Sequence, residues 1–205
     1  DMTHPGAQAH LAGLARRIAK EWGYTYFKMD GMWVGTAAKL LYVNNEYKPD
    51  DLGEPLVHDP SVTPIEAYRN GLRLVREAAG SNVFLLGCCA SQNMRSLGGG
   101  LGRVDAMRIG PENGSSWEGI RRGPWHHSNR YFLHGRVWYN DPDPVYVRSK
   151  MPLDQARAIC SWVGLSGALT VASDWLPELP PERIDILKRI LPNHGLRLRP
   201  VDLLD

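Results

Sequence analysis

Apolar residues recur at the three- and four-residue spacing of a helix in several segments of the chain. The first such stripe predicts a helix over 7–22 and consists of Leu11, Leu14, Ala15, Ile18 and Trp22. A second helix is predicted over 63–79, because Thr63 and Glu66 form a capping box with Pro64 at the first helical position. Further helices are predicted over 127–134, 152–163 and 181–191.

Short apolar runs alternate with these helices and predict five β-strands, at 24–30, 82–88, 104–109, 137–140 and 169–172. This alternation is typical of parallel βα units. Polar or reactive side chains stand at or just beyond the strand ends: Lys28, Asp30, Cys88, Arg108, Asn140, Asp141 and Asp174. Catalytic groups at the ends of several strands are typical of (β/α)8 barrels, whereas an open sheet concentrates them at one switch point. The pattern therefore favours an α/β fold that is part of a barrel.

Composition and charge exclude several classes of partner. The 205 residues carry a net charge of only +2 without a cluster of Lys and Arg, which argues against nucleic acid. No stretch approaches the roughly 20 apolar residues that cross a membrane. The three cysteines, Cys88, Cys89 and Cys160, fit neither a disulfide framework nor a zinc site, so we expect reduced, packed thiols. The glycine-rich loop at 98–102 lacks the spacing of a nucleotide site, and we expect no metal and no cofactor.

The first candidate for chemistry is the strand that ends at Asp30. Alternation along the strand places Lys28 and Asp30 on one face. A neighbouring lysine favours the ionised form of a carboxylate, and an ionised Asp at a barrel mouth can attack a sugar carbon. A structural ion pair at a strand end explains these two residues equally well.

Two further segments carry candidate carboxyl groups. Glu112 follows Arg108 by four residues, beyond a bend at Pro111, and suits a general acid. An exposed loop residue without a catalytic role is the commoner interpretation of a glutamate such as Glu112. Glu118 is a second candidate for the general acid. Asp141 is a candidate for orienting the substrate or Lys28, while we interpret Asp143, between two prolines, as a turn residue.

Four motifs in this order resemble glycoside hydrolase family 36, the bacterial α-galactosidases, which share a clan with family 27. They are YFKMD at 26–30, FLLGC at 84–88, VDAMRIGPE at 104–112 and VWYNDPDP at 137–144. The resemblance implies a retaining enzyme with Asp30 as nucleophile and Glu112 as acid/base. It implies that the substrate is bound by Lys28, Cys88, Arg108, Trp117 and Asp141. The family usually has Asp at position 112, and the extra methylene of Glu shifts the carboxyl group by about 1.5 Å, which keeps Glu118 as an alternative.

The resemblance also implies a domain organisation. Residues 1–192 would form a (β/α)8 barrel from about its third helix to its eighth helix, and residues 193–205 would begin a linker to a C-terminal β-domain. The remaining barrel segment and flanking β-domains would then be partners of this chain in the full-length protein. Without them we expect the barrel strands to keep open edges.

The expected activity is the release of terminal α-galactosyl residues from an oligosaccharide or glycoconjugate, without a cofactor. The same residues would serve an α-N-acetylgalactosaminidase or an α-galactosyl transglycosidase, since small residues in the loop 88–92 would leave room for a 2-substituent. A non-catalytic carbohydrate-binding homologue is the alternative from another class, and its sequence support is the Glu at position 112.

Overall fold

The computed structural model describes residues 1–31, 56–88, 98–199 and 201–202. The chain divides into two compact units, Asp1–Met107 (unit 1) and Arg108–Asp205 (unit 2). None of the helices in these ranges combines the length and the hydropathy needed to cross a membrane.

Two helices and the strands beside them build unit 1. Helix α1 spans Pro5–Arg16 and continues as a π-helical turn over Arg17–Glu21, so the predicted helix exists but changes its hydrogen-bond pattern near its end. Helix α2 spans Pro64–Ala79, as predicted. Its capping box is reciprocal: the Glu66 N–H donates to the Thr63 hydroxyl oxygen at 3.3 Å, and the Thr63 N–H donates to a Glu66 carboxylate oxygen at 2.9 Å.

The strands of unit 1 are parallel and follow chain order in the sheet. Strand β1 (Tyr26–Asp30) pairs along its whole length with β2 (Phe84–Cys88). Strand β2 pairs in turn with β3 (Ala106–Arg108), through Leu86 opposite Ala106. Each strand is shorter than predicted but lies within its predicted range.

The two faces of this sheet have different surroundings. Phe27 and Met29 of β1 and Leu85 of β2 pack into an apolar cluster with residues of α1 and α2, including Ala15 and Val75. Because side chains alternate along a strand, the opposite face carries Tyr26, Lys28 and Asp30, and the next strand adds Phe84, Leu86 and Cys88. The helices therefore cover one face, and the polar candidates of β1 lie on the other.

Unit 2 contains the remaining elements. They are α3 (Trp117–Ile120), α4 (Arg122–Arg130), a 3-10 turn (Tyr131–Leu133), β4 (Tyr139–Asp141), α5 (Leu153–Ser166), a 3-10 turn (Leu176–Glu178) and α6 (Pro181–Ile190). The Ile109 N–H, directly after β3, donates to the Asp141 carbonyl oxygen at 3.0 Å and places β4 beside the end of β3. Helices α5 and α6 pack around a core that includes Val145, Val147 and Cys160.

Two predicted elements of unit 2 differ from the structure. The helix predicted over 127–134 is instead α4, which ends at Arg130 and is followed by the 3-10 turn. The strand predicted over 169–172 is wrong: this segment makes a single parallel bridge, between Val145 and Ala172. The physical reason lies in its neighbour, because Pro142 and Pro144 have no N–H to donate to a ladder.

The packing expected of the cysteines is seen for the two that the structure describes. Cys88 and Cys160 are both buried and neither is in a disulfide. Burial raises the pKa of the Cys160 thiol to about 12. Cys89 lies outside the described residues, as does most of the loop 88–92.

Candidate active site

Each of the four strands ends on a residue that the sequence analysis selected for chemistry. Strand β1 ends at Asp30, β2 at Cys88, β3 at Arg108 and β4 at Asp141. All four side chains therefore lie at the carboxyl ends of strands.

Unit 1 brings Lys28, Asp30 and Cys88 together at the ends of β1 and β2. Asp30 lies directly opposite Cys88 in the parallel register, and Lys28 lies two residues earlier on the same face. The Lys28 and Asp30 side chains are exposed, while Cys88 is buried. One Asp30 carboxylate oxygen accepts the N–H of Gly31 at 2.7 Å. That bond fixes one oxygen of the carboxylate against the main chain.

In unit 2, Arg108 and Asp143 form a buried ion pair. The Arg108 Nη1 atom lies 2.9 Å from the Asp143 Oδ1 atom, and the side chains are only 7% and 4% exposed. The other Asp143 oxygen accepts the main-chain N–H of Asn113 at 2.6 Å. The Asp143 N–H donates to the Asp141 Oδ1 atom at 2.9 Å. Asp143 is therefore more than the turn residue that the sequence analysis made of it, and Asp141 supports it from β4.

Glu112 precedes Asn113 and has an exposed side chain. Its carbonyl oxygen accepts a long hydrogen bond of 3.5 Å from Arg122 Nη1. The nearby Tyr146 hydroxyl donates to the Asn113 carbonyl oxygen, also at 3.5 Å. The side chains of Arg122 and Tyr146 thus hold the carbonyl groups of Glu112 and Asn113, while the Glu112 side chain is exposed to solvent.

Several charged side chains of this region shift the pKa of the Tyr146 hydroxyl group. Burial is the main cause that raises the pKa of Tyr146, followed by the negative charge of Asp143, and Glu112 raises it further. Arg148, whose guanidinium lies 4.5 Å from the centre of the Tyr146 ring, acts in the opposite direction, as does Arg108. Glu112, Arg108 and Asp143 therefore share one neighbourhood with Tyr146.

Sequence reasoning missed Asn113, Tyr146 and Arg148. Their signal was proximity in sequence to selected motifs: Asn113 follows Glu112, and Tyr146 follows the proline-rich turn after β4. The Arg148 Nε atom donates to a carboxylate oxygen of Asp174 at 2.6 Å. Asp174, which the sequence analysis selected as a residue beyond a strand end, therefore pairs with Arg148.

Helix α3 carries Glu118, the second candidate for the acid, and Trp117, the predicted aromatic contact to the sugar. Glu118 is exposed and forms an ion pair with Arg121, three residues later in the sequence. Trp117 begins the helix and is 48% exposed. Its ring is thus accessible, as a platform for a sugar must be.

Asn140 serves the interior of unit 2. Its side chain is fully buried, donates to the Arg130 carbonyl oxygen at 3.0 Å and accepts the indole N–H of Trp138 at 3.1 Å. Its N–H donates to the His134 ring at 3.0 Å. Because Asn140 and Asp141 are adjacent on β4, they face opposite sides of the strand. Asn140 therefore acts in packing, and Asp141 points away from it.

The sequence and the fold were compared with protein families and with solved structures. No protein-family model matches the sequence. Among solved structures, an α-galactosidase from Thermus thermophilus, in complex with stachyose, is similar over 93% of this chain, with a TM-score of 0.64 and 25% sequence identity. The chain folds like part of an α-galactosidase.

This likeness confirms the predicted fold class, a segment of a (β/α)8 barrel, and it supports a glycoside hydrolase-like function. The chain spans 39% of the length of that α-galactosidase. In (β/α)8 enzymes the active site lies at the carboxyl ends of the strands. Asp30, Cys88, Arg108 and Asp141 occupy those ends here.

Proposed function

We propose that this chain carries the catalytic residues of a retaining α-galactosidase of glycoside hydrolase family 36. The observation that carries the proposal is that the four strands β1–β4 of an α-galactosidase-like fold each end on a residue suited to sugar chemistry. The substrate would be a terminal α-galactosyl residue of an oligosaccharide or glycoconjugate. The similar α-galactosidase was solved with stachyose, which supports this substrate class.

The reaction would proceed by double displacement. The Asp30 carboxylate attacks the anomeric carbon and forms a glycosyl ester, while Glu112 gives its proton to the departing glycosidic oxygen. Glu112, now ionised, removes a proton from water, and that water attacks the anomeric carbon and breaks the ester to Asp30. Two inversions leave the released sugar in its original configuration.

The remaining residues would bind the sugar. Lys28 lies two residues before Asp30 on the same strand face and would donate to a sugar hydroxyl group. Arg108 offers further donors at the end of β3, and Trp117 offers an exposed ring. Cys88 and Asp141 would line the site from β2 and β4. In the full-length protein, the remaining barrel segment and flanking β-domains would complete the enclosure.

Alanine variants of the full-length protein test the two catalytic roles. Asp30→Ala should lose hydrolysis of every α-galactoside, because no ester can form. Glu112→Ala should lose about 10²–10⁴-fold on galactosides with poor leaving groups and far less on dinitrophenyl galactosides, which need little protonation. Glu118→Ala is the matched control and should keep wild-type rates on both. The opposite pattern, with selective loss in Glu118→Ala, would move the acid/base role to Glu118.

The anomer formed in the presence of azide separates the roles further. In Glu112→Ala, azide would attack the ester to Asp30, and two inversions give an α-galactosyl azide. In Asp30→Ala, azide would displace the leaving group directly, and one inversion gives the β-azide.

Absence of any turnover by the wild type, despite binding of galactose, would favour a non-catalytic carbohydrate-binding protein instead.

A further inference from the structure

We propose that Asp143 is a positioning residue of the active site, which fixes the loop 108–113 at both of its ends. The inference rests on the proposed function, because Glu112 and Arg108 take their roles from it. Asp143 would touch no substrate. It would act through the two groups that its carboxylate holds.

The carboxylate uses each oxygen for one end of this loop. Oδ1 pairs with the guanidinium of Arg108, the last residue of β3, at 2.9 Å. Oδ2 accepts the N–H of Asn113, the residue directly after Glu112, at 2.6 Å. The proposed acid/base therefore lies on a short loop whose first and last residues are tied to one side chain.

Asp143 is itself held firmly enough to serve as such an anchor. Its backbone has a φ of 74°, in the left-handed region that few residues other than Gly, Asn and Asp adopt. Its N–H donates to Asp141 of β4, and the Asn113 side chain returns a bond to the Pro142 carbonyl oxygen at 3.0 Å. The prolines on either side of Asp143 restrict the turn further. The end of β4 thus holds the backbone of Asp143 in place.

Burial makes this link costly to break. The ion pair is almost completely shielded from solvent, so a neutral residue at position 143 removes the buried negative charge that Asp143 gives to Arg108. Arg108 would then change its position at the sugar, which acts on KM. Gly at position 143 also removes the acceptor of the Asn113 N–H, whereas the single amide oxygen of Asn can serve either Arg108 or Asn113. Loss of the bond to Asn113 lets Glu112 move away from the leaving oxygen, which acts on proton transfer.

A purely structural role predicts a different result. A residue that only stabilised the turn would reduce the amount of folded enzyme and lower the rates on all substrates by one factor. A positioning residue for Glu112 changes the dependence of the rate on the leaving group. The ratio of kcat/KM for two substrates separates these cases, because it does not depend on the fraction of the enzyme that is folded.

The experiment compares Asp143→Asn with the wild type in the full-length protein. Asn keeps the shape of the side chain and tolerates the left-handed backbone, and Asp143→Gly is a second variant that also tolerates it. We expect the ratio of kcat/KM on a dinitrophenyl galactoside to that on an alkyl galactoside to rise at least about tenfold in Asp143→Gly, which removes both contacts, and by a smaller factor in Asp143→Asn. We also expect KM to rise on both substrates.

Asp105→Asn is the matched control. Asp105 also joins an arginine to a main-chain N–H, since its Oδ2 atom accepts from Arg76 at 2.5 Å and from the Leu85 N–H at 2.7 Å. It lies in unit 1, before β3, so its loss should lower stability and leave the substrate ratio at the wild-type value.

The outcomes separate the inference from the function on which it rests. If the wild type hydrolyses galactosides and Asp143→Gly lowers both substrates equally, the positioning role is overturned and the α-galactosidase stands. If the wild type hydrolyses no α-galactoside, the proposed function falls and this role falls with it.

Discussion

At the scale of single residues, His127 shows how burial changes an ordinary side chain. It is 5% exposed and meets the Trp162 ring edge-on at a centroid distance of 5.2 Å. The His134 ring lies 5.5 Å away. Burial lowers the pKa of His127 from 6.5 to about 4, and the charge of His134 adds to this effect. The folded protein therefore holds His127 neutral over a range in which an unfolded chain protonates it.

We predict that the free energy of unfolding falls as the pH drops from about 6.5 to about 4. The unfolded state takes up the His127 proton first, so stability is complete above the unfolded pKa of 6.5 and is lost toward the folded value of about 4. This gap corresponds to on the order of 3 kcal/mol at most. Urea denaturation at a series of pH values measures it, and His127→Phe should flatten the decline.

His10→Asn is the control for this measurement, because His10 is exposed on α1. It should keep the pH dependence of the wild type. An unchanged decline in His127→Phe would mean that other groups cause the acid sensitivity. His126 and His134, whose pKa values burial also lowers, are the next to be replaced.

The candidate site was predictable from sequence where its signal was local. Lys28 and Asp30 lie two positions apart on one strand, so alternation alone put them on one face. The interpretation of Asp143 as a turn residue misses the two groups that its carboxylate binds, because both are distant in sequence, with Asn113 30 positions away. Its left-handed backbone agrees with a turn, but the buried ion pair with Arg108 depends on tertiary contacts that no spacing rule contains.

At the scale of elements, α6 is held by a residue that its amphipathic pattern does not explain. Arg183 is buried and donates to the carbonyl oxygens of Val147, Arg148 and Met151, at 2.9–3.0 Å. The segment between β4 and α5 lacks regular structure, so its carbonyl groups need another donor. The guanidinium of Arg183 supplies it.

We predict that Arg183→Met lowers the free energy of unfolding by about 3 kcal/mol, because it leaves buried carbonyl groups unsatisfied. Chemical denaturation measures the loss. Arg189→Met, at an exposed position of the same helix, should change stability by less than about 0.5 kcal/mol. Equal effects of the two variants would show that helix propensity, rather than the three hydrogen bonds, decides the stability of this region.

Elements with local signals matched their predictions, and elements that need a partner did not. Helix α2 begins as expected because Thr63 and Glu66 cap its N-terminus, and it ends as expected at Gly80, whose φ of 100° lies outside the helical region. The segment 169–172 has strand-like residues but only one bridge, because a strand requires donors from its neighbour. Pro142 and Pro144 remove those donors, and this effect becomes visible only when the neighbour is known.

At the scale of the whole molecule, the fold class followed from the alternation of strands and helices and from the residues at the strand ends. The likeness to an α-galactosidase confirms it. Strand length did not follow: β3 and β4 have three residues each where six and four were expected.

We predict that the carboxyl groups of Asp30 and Glu112 lie about 5–5.5 Å apart in the full-length protein, with about 1–2 Å of tolerance for the rotamer of Glu112. A retaining mechanism requires this spacing, since the second carboxylate must reach the anomeric carbon itself. A crystal structure with bound galactose measures it. A separation near 9 Å would leave room for a water molecule and indicate inversion.

The loop 108–113 also has an evolutionary consequence. Both of its ends are bound to Asp143, while the side chain of Glu112, next to the bound Asn113, is exposed to solvent. Mutation can therefore exchange Glu112 for a shorter or longer acid without disturbing β3 or β4. Related sequences should carry either Asp or Glu at position 112 and tolerate almost no change at position 143, so that selection tunes substrate preference through the length of this acid while the anchor of the loop is conserved.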